Sequence, residues 1–149
     1  MEHTTNSLEE TQVIAHDLAR SLSNTPNKLA QALIVALEGE LGAGKTTFSQ
    51  GFARGLAVTQ HLTSPTFVIA KQYPIPDNTH YHYLWHIDCY RLRDYHDLTT
   101  IGFSDLIIQS DNIMLIEWPE RIRESLPEHH ITVHIDHITP TQRKITITL

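Results

Sequence analysis

The sequence predicts an α/β fold, in which helices flank a mainly parallel central sheet and antiparallel strands lie at the edges. Two wholly apolar runs, residues 33–37 and 113–116, are typical of central parallel strands that are covered on both faces. A glycine-rich turn and a helix-like segment follow the first run. Near the end of the chain, residues 131–138 and 143–149 alternate between apolar and polar side chains, which predicts a closing antiparallel pair.

The elements in the first third of the chain each have a local signature. Ser7 has capping-box spacing to a glutamate, and apolar side chains then recur on one face, so an amphipathic helix is predicted over residues 8–22. The first strand is predicted at 32–38. The next helix, 45–56, carries an apolar stripe, and Gly55 near its end suits a C-terminal cap.

The middle of the chain predicts a hairpin and a broken helix. The hairpin strands are residues 66–73 and 80–88, with a proline-containing turn between them. Alternation in the second strand predicts a half-buried strand with two faces. One face carries Tyr81, Tyr83, Trp85 and Ile87, and the other carries His80, His82, His86 and Asp88. We expect the aromatic side chains in the core and the histidines in solvent. A helical stretch at 95–109 is interrupted at Gly102.

The composition predicts one globular domain spanning residues 1–149. Hydrophobic residues make up 40% of the 149-residue sequence and charged residues 19%, which are ordinary globular values. No apolar run approaches the roughly 20 residues that a membrane span needs. The polar N-terminus lacks the pattern of a secretory signal, and the one cysteine, Cys89, has no partner for an internal disulfide. We therefore expect a cytoplasmic protein without a membrane partner.

The charge argues against independent binding to nucleic acid. Eleven Lys and Arg residues against seventeen Asp and Glu residues give a net charge of −6, and the pI is about 5.9. Nucleic-acid-binding domains are usually basic. Eleven histidines are also present, but without a cysteine pair they do not predict a structural zinc site. Any role near nucleic acid is expected to run through a protein partner.

A complete G-x-x-x-x-G-K-[ST] phosphate-binding loop follows the first predicted strand. It consists of Gly39, Glu40, Leu41, Gly42, Ala43, Gly44, Lys45 and Thr46, and Thr47 continues into the helix. The glycines allow backbone N–H groups to approach phosphate oxygens, and the helix N-terminus adds partial positive charge. Lys45 is expected to reach the β- and γ-phosphates, and the Thr46 hydroxyl to bind Mg²⁺. The sheet is therefore predicted to be P-loop NTPase-like, with a nucleoside triphosphate as its ligand.

Two carboxylates are candidates for the same site. Glu117 directly follows the second apolar run, where a residue beside the phosphate loop would hold Mg²⁺, directly or through water, or orient the attacking water. Asp88 ends the alternating strand and could polarise water or join the outer shell of the metal. The spacing of Asp88 fits a turn cap or an ion pair with Arg91 equally well.

A loop with two hydroxyls is a candidate sensor of the γ-phosphate. Ser64 and Thr66 flank a proline directly before a predicted strand. Switch segments of nucleotide-binding proteins respond to the γ-phosphate in this way. The residues alone fit a plain turn as well.

The chain resembles the TsaE family of small bacterial ATPases. The blocks that carry the resemblance are GELGAGKTTFSQGFARGL (39–56), SPTF (64–67), HIDCYRL (86–92) and IEWPERI (116–122). The resemblance implies that Asp88 and Glu117 serve a Mg-nucleotide site. It also supports Thr66 and Trp118 as switch or sensor residues, and places Thr11 near the bound nucleotide. By the same resemblance, the protein acts in forming N6-threonylcarbamoyladenosine at adenosine 37 of tRNA, with the TsaB and TsaD proteins as partners.

These observations favour an Mg-dependent ATPase with ATP as substrate. Lys45, Asp88 and Glu117 are the predicted catalytic residues, and Thr46 and Glu117 the predicted metal ligands. Two other interpretations stay open. A small-molecule kinase has the same loop but needs an acceptor pocket and a lid, and a nucleotide-gated binding module needs no hydrolysis. Turnover is expected to be slow alone and faster with partners, because a lone small domain can lack part of a transition-state site.

Overall fold

A computed structural model of the chain describes residues 1–63 and 69–149. In chain order the elements are β1 (Glu2–Thr5), α1 (Leu8–Ser23), β2 (Leu33–Glu38), α2 (Lys45–Gly55), β3 (Ala70–Pro74), β4 (Tyr83–Asp88), α3 (Tyr95–Thr100), α4 (Phe103–Ile107), β5 (Asn112–Glu117), a 3₁₀ helix (Pro119–Ser125), β6 (Ile131–His137) and β7 (Arg143–Thr148). Among these residues no helix is long and apolar enough to cross a membrane.

The strands of the described residues form one seven-stranded mixed sheet in the order β1-β7-β6-β2-β5-β4-β3. The four strands β6, β2, β5 and β4 are parallel to one another. The outer pairings, β1 with β7, β7 with β6 and β3 with β4, are antiparallel. The predicted arrangement, parallel in the centre and antiparallel at the edges, is confirmed. Because Glu117 pairs in register with Leu37 on one side and Asp88 on the other, β2, β5 and β4 end at the same edge.

Hydrophobic side chains cover both faces of the central strands, which explains their unbroken apolar sequences. In β2, Val35 and Leu37 pack with α1 and α2, whereas Ile34 packs on the opposite face with α3 and α4. Strand β5 divides in the same way, with Leu115 on the first face and Met114 on the second. The core therefore consists of two layers with the sheet between them.

Helices α1 and α2 pack closely because two glycines of α2 have no side chain. A Cβ added at Gly51 would lie 2.5 Å from the carbonyl oxygen of Gln12, and one at Gly55 would overlap the carbonyl oxygen of His16. The predicted cap role of Gly55 is wrong. Helix α2 is capped at Leu56, and the left-handed residue after it is Ala57, with φ 58°. Gly55 is needed for helix packing instead.

One strand was not predicted, and two local predictions differ from the structure. Strand β1 was not predicted from its polar sequence, because an edge strand paired only with β7 needs few apolar residues. Strand β4 begins at Tyr83, whose side chain is 40% exposed and not in the core. His86 was expected in solvent but is 1% exposed, because layers of the fold cover both faces of β4 at its carboxyl end. Residues 66–68, which begin the predicted strand at 66–73, lie outside the described residues.

Candidate functional site

The phosphate-binding loop joins β2 to α2 at the carboxyl edge of the parallel strands. Gly39, Gly42 and Gly44 have φ values of 147°, 79° and 109°, which L side chains rarely adopt. At Gly39 a Cβ would also lie 2.6 Å from the carbonyl oxygen of Ile135. The loop leads directly into the first turn of α2, where unpaired N–H groups and the helix dipole favour an anion.

The Lys45 ammonium is held at the loop by its own backbone. Its Nζ donates to the carbonyl oxygens of Gly39, at 2.6 Å, and Glu40, at 2.9 Å. Nζ also lies 4.2 Å from the centroid of the Trp118 ring. Burial lowers the pKa of Lys45, and the nearby carboxylates, with Glu117 first, oppose that shift without cancelling it. A partly desolvated cation with carboxylates nearby therefore lies at the loop.

An open cleft of about 700 Å³ lies beside the loop, a volume typical of small-molecule sites. Its walls come from the loop, the ends of β4 and β5, and the starts of α1 and β7. The lining residues include Leu8, Leu41, Gly42, Gly44, Lys45, Thr46, Thr47, Asp88, Tyr90, Glu117, Trp118 and Arg143. Residues that are distant in the sequence therefore meet at one end of the sheet.

Glu117 is a buried carboxylate at the base of the cleft. The residue is 3% exposed. Ser49 Oγ lies 3.0 Å from Glu117 Oε1, and His86 Nε2 lies 3.1 Å from the same oxygen. Burial raises the pKa of Glu117, but the hydrogen bonds from His86 and Ser49 and the charge of Lys45 outweigh it, so the net shift is downward. The carboxylate is therefore ionised at neutral pH.

Asp88 stands beside Glu117 at the end of the neighbouring strand. The two residues are partners in the β4–β5 register, and both line the cleft. Asp88 Oδ1 accepts a hydrogen bond of 2.9 Å from the backbone N–H of Tyr90. The turn after β4 therefore contributes to holding this carboxylate at the cleft wall.

Arg143 crosses from β7 to the phosphate loop. Its Nε donates to the carbonyl oxygen of Ala43 at 2.7 Å, and Nη1 donates to the carbonyl oxygens of Thr139, at 2.8 Å, and Gln142, at 2.9 Å. The residue is 8% exposed. In the described part of the chain its hydrogen-bond acceptors are all carbonyl oxygens, so this buried cation lines the cleft without a carboxylate partner there. Such a cation favours an anionic ligand nearby.

Most of the residues predicted from the sequence line this cleft. Leu41, Gly42, Gly44, Lys45, Thr46, Thr47, Asp88, Glu117 and Trp118 do so. Gly39, Glu40 and Ala43 belong to the loop but are not part of the cleft wall. Ser64 and Thr66 lie outside the described residues.

Thr11 is buried beneath the first turn of α1 and does not line the cleft. Its hydroxyl lies 2.9 Å from the Thr5 hydroxyl, and Thr5 pairs with Arg143 in the β1–β7 register. Leu8, in the same turn, reaches the cleft instead. Thr11 therefore joins the start of α1 to the strand that faces Arg143.

Among the side chains at the site that were not predicted from the sequence are Ser49, His86 and Arg143. Ser49 follows Lys45 by four residues on α2, so helical spacing from the loop lysine could have identified it. His86 precedes Asp88 by two residues on β4, a spacing that places both on one face of a strand. Arg143 has no local signal, because its partner Ala43 is 100 residues away in the sequence.

Comparisons with known proteins agree on one family. The family model "Threonylcarbamoyl adenosine biosynthesis protein TsaE" matches residues 5–145. Two similar relatives have the name "tRNA threonylcarbamoyladenosine biosynthesis protein TsaE". The protein from Bacillus subtilis is 39% identical over 115 residues, which cover 77% of this chain and 68% of that protein. The protein from Treponema pallidum is 34% identical over 133 residues, which cover 89% and 94%.

A solved structure is similar over nearly the whole chain. The crystal structure of Bacillus subtilis YdiB matches with a TM-score of 0.72 and 32% sequence identity, covering 99% of this chain and 83% of that one. The chain belongs to the TsaE family.

Proposed function

We propose that this protein is a P-loop NTPase-like ATPase that binds Mg-ATP in the cleft and hydrolyses it. We further propose that this reaction serves the threonylcarbamoyl modification of adenosine 37 in tRNA, through the TsaB and TsaD proteins. One observation carries the proposal: Lys45, Glu117 and Asp88 line a single cleft beside a phosphate-binding loop. Family membership supports the tRNA role, because the relatives are named for that biosynthesis.

Binding of the triphosphate is supported by the loop and by two cations, Lys45 and Arg143, whose side chains bond to the loop backbone. The N-terminus of α2 is suited to a phosphate oxygen. Lys45 now bonds to two carbonyl oxygens of its own loop. Exchanging these neutral acceptors for phosphate oxygens pairs the ammonium with negative charge, which strengthens its hydrogen bonds. Lys45 is therefore proposed to swing from the loop backbone to the β- and γ-phosphates.

The donor set at the base of the cleft fits Mg²⁺. The Thr46 hydroxyl and the ionised carboxylate of Glu117 both offer oxygen, the ligand type that Mg²⁺ prefers in proteins. In the described residues, no three His, Cys, Asp or Glu side chains form a complete protein-only metal site. This agrees with a metal held by one or two side chains together with phosphate oxygens and water. When bound, Mg²⁺ would neutralise charge on the phosphates.

Asp88 is proposed to position the attacking water. Its carboxylate is next to Glu117 in register and is held by the Tyr90 N–H. A carboxylate beside the terminal phosphate orients a water by accepting its hydrogen bond. Lys45 and the loop N–H groups stabilise charge that develops on the transferred phosphoryl group.

The protein is proposed to act on tRNA through its partners. Its net charge of −6 opposes direct binding to a polyanion. The cleft is open, so a partner surface can close it and complete the site. Turnover is therefore expected to be slow for the isolated protein and faster in the complex.

The test is phosphate release from ATP with and without purified TsaB and TsaD. We expect the partners to stimulate release by wild type, and Lys45→Ala to abolish the stimulated rate. Lys28→Ala, which removes an exposed lysine outside the cleft, is the matched control and should keep wild-type rates. Equal rates with and without partners would contradict the proposed role.

A further inference from the structure

The Glu117 carboxylate is contacted by two buried side chains on one of its two oxygens. Ser49 is 0% exposed and His86 is 1% exposed. Ser49 Oγ lies 3.0 Å from Glu117 Oε1, and His86 Nε2 lies 3.1 Å from it. No hydrogen bond to Oε2 comes from the part of the chain that the structure describes. The two oxygens of the carboxylate therefore have different environments.

His86 is the side chain that can donate a hydrogen bond to Glu117 Oε1 without sharing its hydrogen with another acceptor. The Ser49 hydroxyl has one hydrogen but lies within reach of two acceptors, since its Oγ is also 2.9 Å from the carbonyl oxygen of Lys45. His86 Nδ1 is buried and has no hydrogen-bond partner in the part of the chain that the structure describes. A hydrogen on Nδ1 would be left without an acceptor, and Nε2 would then present a lone pair to the carboxylate. The hydrogen of His86 therefore belongs on Nε2.

We propose that His86, assisted by Ser49, is a positioning residue that holds Glu117 Oε2 toward the cleft for Mg²⁺. Because both hydrogen bonds end on Oε1, rotation of the carboxylate would break them. Oε2 is then the oxygen available to a ligand, and Glu117 is part of the cleft wall. This inference rests on the proposed role of Glu117 as a metal ligand.

The arrangement also links the two carboxylates of the site through one strand. His86 and Asp88 are two residues apart on β4, so one strand face carries both. Asp88 pairs in register with Glu117, whereas His86 pairs with Leu115 and reaches diagonally to Glu117. Strand β4 therefore contributes to the site twice, directly by Asp88 and indirectly by His86.

The test compares His86→Leu with His86→Gln in the full chain. Leucine removes the donor, whereas the glutamine amide can replace the Nε2 hydrogen. Affinity for a non-hydrolysable ATP analogue is measured by calorimetry with and without Mg²⁺, and folding is followed by thermal unfolding. We expect His86→Leu to weaken the Mg²⁺ dependence by about 10- to 100-fold, the usual effect of losing a hydrogen-bond partner of a metal ligand. Affinity without Mg²⁺ should stay within about twofold, and His86→Gln should restore most of the loss.

A purely structural role predicts a different pattern. In that case His86→Leu would lower the melting temperature and both affinities together, or leave the Mg²⁺ dependence unchanged, and either result would overturn the proposal. Nitrogen NMR of the ligand-free protein gives a readout that needs no variant. We expect the His86 hydrogen on Nε2, and a hydrogen on Nδ1 alone would also overturn the proposal.

Glu117→Gln separates this inference from the proposed function. If wild type and Glu117→Gln depend on Mg²⁺ equally, the metal role of Glu117 is wrong, and the positioning role of His86 is overturned with it. If Glu117→Gln loses the Mg²⁺ dependence while His86→Leu keeps it, only the positioning role is wrong. Loss in both variants, with rescue by glutamine at residue 86, supports both.

Discussion

The Lys45 ammonium lies 4.2 Å from the centroid of the Trp118 ring, so an aromatic face covers the cation that the phosphate loop presents. Trp118 directly follows Glu117 and adopts a left-handed conformation with φ 56°. A bulky residue in this region is strained by about 1–3 kcal/mol, and such strain concentrates at functional sites. The Tyr90 ring, 4.9 Å away between centroids, packs against the same indole. The end of β5 therefore places a carboxylate and an aromatic ring beside Lys45.

This contact predicts that triphosphate binding changes the fluorescence of Trp118. When Lys45 moves to the phosphates, the indole loses a cation and its environment changes. We expect a saturable change in emission on addition of Mg-ATP to wild type. The signal should persist in Trp85→Phe, which removes the other tryptophan, and disappear in Trp118→Phe. A signal that follows Trp85 instead would contradict this assignment.

Replacing Arg143 is predicted to weaken both the fold and the ligand site. Arg143→Met removes the side-chain donor of the carbonyl oxygens of Ala43 and Thr139. We expect the free energy of unfolding in urea to fall by about 2–4 kcal/mol. Nucleotide affinity should fall by about tenfold, because a charge-assisted bond is worth about 1.5–3 kcal/mol.

Lys144→Met is the matched control for Arg143. Lys144 is the next residue on β7, and its Nζ forms an ion pair of 3.0 Å with Glu2 at the surface. Exposed pairs of this kind contribute about 0–1 kcal/mol. Equal losses of stability in the two variants would contradict a special role for Arg143.

Alanine at Gly51 is predicted to destabilise the protein although alanine favours helix. The added Cβ would lie 2.5 Å from the carbonyl oxygen of Gln12, so α1 and α2 must separate. We expect a loss of about 1–3 kcal/mol in the free energy of unfolding, the usual range for overpacking. Ser21→Ala, at an exposed position of α1, should change it by less than about 0.5 kcal/mol. A stabilised Gly51→Ala protein would show that the helices do not pack this closely.

His134, which pairs with Glu38 between β6 and β2, is predicted to make the free energy of unfolding depend on pH. Burial lowers the pKa of His134, but hydrogen bonds to Glu38 and Asp136 outweigh it, so the pKa is raised above its ordinary value. The stabilisation is therefore complete below about pH 6.5 and is lost as the pH rises through the higher folded-state value. Because the side chain is 44% exposed, we expect only about 0.5 kcal/mol after solvent screening.

Unfolding in urea across this pH range tests the contribution of His134. His134→Gln should remove the pH-dependent part of the free energy of unfolding. His129→Gln, at an exposed histidine of the preceding turn, should keep it. The same pH dependence in both variants would assign the effect to other groups.

The sequence predicted the elements whose patterns are local. The apolar runs of β2 and β5, the glycine loop and the break at Gly102 each depend on neighbouring residues, and the structure has all of them. Strand β1 was missed because its stability comes from pairing with β7, more than 130 residues away (for example, Thr5 with Arg143). The role of Gly55 was missed because it depends on the approach of α1.

The candidate site divides in the same way. Lys45 and Thr46 belong to a motif, and Glu117 follows a buried strand, so residue type and position predict them. His86 was assigned to solvent because alternation describes a strand with one open face, whereas the end of β4 is covered on both. Arg143 is recognised only once the fold brings it to Ala43, whereas helical spacing from Lys45 could have identified Ser49.

Calorimetric titration of wild type with a non-hydrolysable ATP analogue and Mg²⁺ tests the central claim that the cleft binds a metal–triphosphate through Lys45. We expect one site per chain for wild type and for Lys28→Ala. Affinity should fall by at least about tenfold in Lys45→Ala, since a hydrogen bond to a charged group is worth about 1.5–3 kcal/mol. Wild-type affinity in Lys45→Ala, or no binding by a folded wild-type protein, would contradict the account.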